Sequence, residues 1–178
     1  MASIITRKCF VSYHHDDQKY VDEFVNTFDE KKGVFIARAL GVMDQGVIDS
    51  TDAEYIMRRI REKYLTDSTV TIVLIGKCTW ARRYVDWEIA STLRNDANNK
   101  RSGLVAINLP YVNDIPTTLP PRFKDNWKLD GSGYAKWYKY PTSASGLADI
   151  IEEAYRARET KADRIGNTRA LAGSNKDC

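Results

Sequence analysis

The 178-residue chain has few of the features that announce location or chemistry. It contains two histidines, three cysteines and five prolines, and no apolar run long enough to cross a bilayer. Cys9, Cys78 and Cys178 have no metal-like spacing. Cys9 lies in an apolar run and Cys178 is the last residue, which argues against a disulfide framework and for a reducing compartment. The opening MASIITRKCFVSY lacks the apolar stretch of a signal peptide, so a cytoplasmic location is expected. A net charge of +3 is too weak to suggest nucleic acid or a membrane surface as partner. The phosphate cradles GxGxxG and GxxxxGK[ST] are missing, and so is the nucleophile motif GxSxG. His14 and His15 are adjacent and have no accompanying Cys/His cluster, so no metal is expected.

What is present fits a soluble globular domain, with 43% hydrophobic and 29% charged residues. KCFVSY (8–13) reads as a first strand, followed by a helix with Asp16 or Asp17 as cap and Tyr20, Val21, Phe24, Val25 and Phe28 at helical spacing. Gly33 ends that helix, and GVFIA (33–37) is a second strand. Residues 38–50 carry two glycines and no sustained period, and read as a loop. Ser50 and Asp52 can cap a second helix. VTIVLIG (70–76) and GLVAIN (103–108) are apolar almost throughout, as central parallel strands are. ARRYVDWEIASTLRNDAN forms the helix between them. Four prolines then break the chain into a long connection, with a short strand near Trp137 to Tyr140 and a last helix over 144–159. A single domain is expected over residues 1–159. The polar segment 160–178 is expected to be a disordered tail. Strands alternating with helices imply an α/β fold on a parallel sheet of four to five strands. Sites on such sheets lie at the strands' carboxyl ends.

Glu88 stands out within CTWARRYVDWEIASTL (78–93). At about 100° per residue, Val85, Ile89 and Leu93 make an apolar arc facing the sheet, and Glu88 lies at the arc's edge beside Tyr84. Asp86 and Arg94 fall nearer the solvent face. The bland reading of Glu88 is a boundary carboxylate paired with Arg82, Arg83 or Arg94. Its aromatic neighbours and its place on a helix that starts at a strand's carboxyl end point instead to a site. A glycosidic bond usually needs two carboxylates. NAD needs one, because nicotinamide leaves a cationic pyridinium as a neutral ring, and the carboxylate can stabilise the oxocarbenium-like charge that develops. Trp80, Tyr84 and Trp87 could stack on the bases. Arg38, Arg82 and Arg83 could meet the pyrophosphate. His14, at the end of the first strand, could face the ligand.

CFVSYHHDD and TVTIVLIG followed by WARRYVDWEIASTL resemble the opening strand, central strand and following helix of TIR domains, in particular the bacterial TIR-like group of Thoeris antiphage defence. The similarity covers roughly residues 8–109. It implies a flavodoxin-like three-layer fold and an NAD-consuming activity, with NAD as substrate and no cofactor. The family's product is a cyclic ADP-ribose isomer that activates a downstream effector. The resemblance places the catalytic glutamate at Glu88 and brings Ser12, Tyr13 and His14 to the nucleotide pocket. It also assigns self-association to the 38–50 loop. One departure is Tyr84, which stands where many catalytic TIR domains carry a tryptophan four residues before the glutamate. A non-catalytic TIR-like assembly module and a deoxyribosyltransferase-like enzyme are the competing readings.

Overall fold

The computed structural model describes residues 5–40, 50–97 and 100–178. Five strands, β1 (Arg7–Ser12), β2 (Phe35–Leu40), β3 (Val70–Ile75), β4 (Gly103–Asn108) and β5 (Lys136–Tyr138), form one sheet in the order β2-β1-β3-β4-β5. Every pair is parallel. This is the flavodoxin-like order, with its switch point between β1 and β3, outside whose carboxyl ends such folds bind ligands.

Helices cover both faces, which is why every residue of β3 and β4 is buried. α1 (Gln18–Val25), extended by a wider turn over Asn26–Glu30, lies on one face with α5 (Ala144–Thr160). α2 (Ala53–Ile60), α3 (Arg83–Leu93) and α4 (Pro121–Asn126) lie on the other. Gly33, at φ +57°, makes the left-handed turn that releases the chain into β2. Asp52 caps α2 by accepting from the Glu54 and Tyr55 amides at 3.0 and 3.4 Å. Gly103 lets α5 approach the sheet: a Cβ there would lie 2.2 Å from the Ala154 carbonyl oxygen.

Several expectations are corrected. The proline-rich connection contains α4, whose Pro121 occupies the first turn, where the missing N–H costs nothing. α3 ends at Leu93, and residues 94–97 of the expected helix are not helical. Arg38 belongs to β2 and not to a loop, while residues 41–49 of the proposed self-association loop lie outside the described residues. Asp17 sits at the head of α1 but caps nothing; its Oδ1 accepts from the Tyr111 hydroxyl at 2.6 Å.

The largest correction concerns the C-terminus. Residues 160–178 are not a free tail but pack back along α3 and α4. Cys78 and Cys178 form a disulfide across 100 residues, with Cα atoms 5.6 Å apart. Two cysteines so far apart in sequence gave no sign of meeting, and the inference of a reducing compartment loses its basis. Cys9 remains a free thiol, and burial pushes its pKa up. No helix of the described residues is long and apolar enough to cross a membrane.

Candidate functional site

Strand alternation sorts the residues at the end of β1. Successive side chains point to opposite faces, so Ser12 faces α3 while Tyr13 joins the core under α1. Tyr13 there donates its hydroxyl to Gln18 at 2.6 Å. After β3, the chain turns through Gly76 and a short helical turn at Thr79–Ala81, stapled by Thr79 Oγ1, which accepts from the Gly76 amide at 2.8 Å. That tight turn starts α3 directly over the switch point. Val85, Ile89 and Leu93 pack on the sheet as the helical angle predicts. Thr71 and Thr92 share a hydroxyl contact at 2.8 Å, and Thr92 Oγ1 donates to the Glu88 carbonyl at 2.8 Å, fixing the helix's rotation.

That rotation places Glu88 deeper than the edge of the arc: it is 1% exposed. Ser12 donates a short hydrogen bond to Oε2, and Oε1 is buried with no partner. Among the described residues no arginine or lysine pairs with the carboxyl group, so the boundary ion pair with Arg82, Arg83 or Arg94 does not form. Burial raises the Glu88 pKa to about 8, against the smaller opposing pull of the Ser12 hydrogen bond. An acid with one unsatisfied oxygen in a dry position can hold a proton at neutral pH. Once ionised, it can stabilise an adjacent positive charge strongly.

The other expected site residues divide into groups. His14 is buried at the end of β1 beside exposed His15, and burial lowers its pKa, keeping the ring neutral. His14, His15 and Asp16 have ligand atoms within 4.8 Å of one another. Tyr84 and Trp87 meet edge to face, with ring centroids 5.2 Å apart. Arg83 lies over both rings, and Trp87 donates to the Ala172 carbonyl at 2.9 Å. Trp87 is thereby committed to the contact among α2, α3 and the C-terminal segment. Trp80 and Arg83 line a cavity that does not include Glu88. Arg38 pairs with Asp67, which precedes β3 on the side away from the strand ends, at 3.2 Å. Among the described residues, Ser12 is thus the expected site residue whose side chain hydrogen-bonds Glu88.

Two residues of this region escaped the sequence reading. Asp86, expected near solvent, is buried in a bidentate pair with fully buried Arg122, at 2.8 and 3.2 Å. Asp17 is buried with Oδ2 unpartnered, and burial raises its pKa. Proline at the head of α4 was the available signal for a helix that brings Arg122 inward. Nothing in the sequence distinguishes Asp17 from a cap.

A parallel sheet in this order, with a buried acid on the helix that follows its central strand, defines an α/β protein of the TIR-like, flavodoxin-like class. Residues 10–114 match the family model described as the Thoeris protein ThsB, TIR-like domain. The match spans more than half of the chain, and the chain belongs to that family. No curated protein matches it significantly.

Proposed function

We propose that the protein cleaves the nicotinamide–ribose bond of NAD, with Glu88 as the acting carboxylate, and makes a cyclic ADP-ribose isomer as a signal to a defence effector. The observation that carries this reading is the buried, unpartnered Glu88 Oε1, on the helix beside the switch point of a fold that belongs to a Thoeris family. The bond between ribose C1′ and the ring nitrogen breaks, and the electron pair leaves with neutral nicotinamide. Water captures the oxocarbenium to give ADP-ribose and a proton; an internal nucleophile of the same molecule gives the cyclic product. Because Glu88 is 1% exposed, substrate entry requires displacement of the side chains over it. The pyridinium's positive charge then favours the ionised carboxylate, lowering the pKa that burial had raised.

Purified protein incubated with NAD tests the reading. Release of nicotinamide is expected, with products resolved chromatographically into linear and cyclic ADP-ribose. An absence of nicotinamide even at high protein concentration favours the non-catalytic assembly module.

A further inference from the structure

The cavity lined by Trp80 and Arg83 lies on the face of α3 opposite Glu88. Asp86 lies about 200° around the helix from Glu88, and it lines a cavity of about 320 Å³ that Glu88 does not touch. One wall is formed by Trp80, Arg82 and Arg83, the other by the C-terminal segment with Arg169, Ser174 and Lys176. The segment's docking creates the cavity. Lys176 donates its amide to the Ala81 carbonyl at 2.9 Å, Arg82 donates to the Lys176 carbonyl at 2.7 Å, and Asn175 accepts from the Arg83 amide at 3.0 Å.

The cavity's charges do not cancel. Asp86 is fully engaged by Arg122 and by the Ala172 amide, and Arg169 is paired with Asp125. Among the described residues, Arg82, Arg83 and Lys176 have no carboxylate partner, and Arg82 Nε is buried with no hydrogen-bond partner. Three cations without a carboxylate partner among the described residues, with a tryptophan in the same lining, form a two-part recognition surface: charge for a phosphate, and an aromatic ring for a planar base. The volume is at the low end of the roughly 300–1,000 Å³ of ligand pockets, which suits a mononucleotide better than a dinucleotide.

We propose that this cavity is a binding site for a nucleoside monophosphate, separate from Glu88 and assembled by the docked C-terminal segment. It stands independently of NAD cleavage. Isothermal titration of the full oxidised chain with AMP, inorganic phosphate and adenosine tests it. AMP should bind once per chain and more tightly than either fragment. Lys176→Glu should weaken AMP by about tenfold or more, the scale of one charge-assisted hydrogen bond. Its side chain has no structural partner among the described residues. Ser174→Glu, which places a negative charge in the same cavity, should do likewise. Glu88→Gln should bind AMP as wild type does. AMP binding that is absent, unchanged in Lys176→Glu and Ser174→Glu, no tighter than its fragments, or lost in Glu88→Gln would overturn the assignment.

Discussion

Glu88 and Asp86 stand two residues apart on one helix and are both buried, yet they are treated oppositely. Asp86 has a guanidinium and an amide to satisfy it, whereas Glu88 has one serine and an empty oxygen. This difference can be measured through stability. Below about pH 4.5, the ordinary value, Glu88 is protonated in the folded and unfolded chain alike. As pH rises, the unfolded chain releases the proton while the fold retains it, so stability falls until pH passes about 8, the folded value. A glutamine at this position has no proton to lose. Glu88→Gln should therefore gain on wild type by roughly 1.4 kcal/mol per pH unit across that window. Urea denaturation at pH 5, 7 and 9 reads the gap, and a gap that does not grow with pH contradicts the burial account. Sequence periodicity located Glu88 but not its depth, because depth depends on Thr71 and Thr92 setting the helix rotation across 21 residues.

At the scale of elements, strands covered on both faces were the most legible. VTIVLIG and GLVAIN are uniformly apolar and became β3 and β4 with no boundary off by more than one residue. α4 was not legible, since its six residues make less than two turns and carry too little periodicity to register. The packing of α5 rests on Gly103 at the start of β4. Gly103→Ala puts a methyl against the backbone of Ala154, which cannot rotate away as a side chain could. The substitution should cost about 1–3 kcal/mol, as overpacking does, and should lower the thermal midpoint without changing the helical content of the folded state. An unchanged midpoint would mean that α5 yields more easily than this contact implies.

The whole molecule is closed by a contact that no local pattern announces. The Cys78–Cys178 disulfide joins the turn before α3 to the last residue of the chain, and the segment between α5 and that cysteine supplies the α3 amide cap. Closing so long a loop stabilises a fold by about 2–4 kcal/mol. Cys178→Ser should lose that amount in chemical denaturation, and wild type under reductant should match it; coincident curves with and without reductant would contradict the closure. The proposed bond cleavage draws on both halves of this architecture, the switch point that holds Ser12 and the helix that holds Glu88. The most direct test is nicotinamide release from NAD by Glu88→Gln beside wild type at equal, high protein concentration. Release should fall by about 100-fold or more in the variant, the scale seen when a charge-stabilising group is removed; equal release by the two proteins would remove Glu88 from the chemistry.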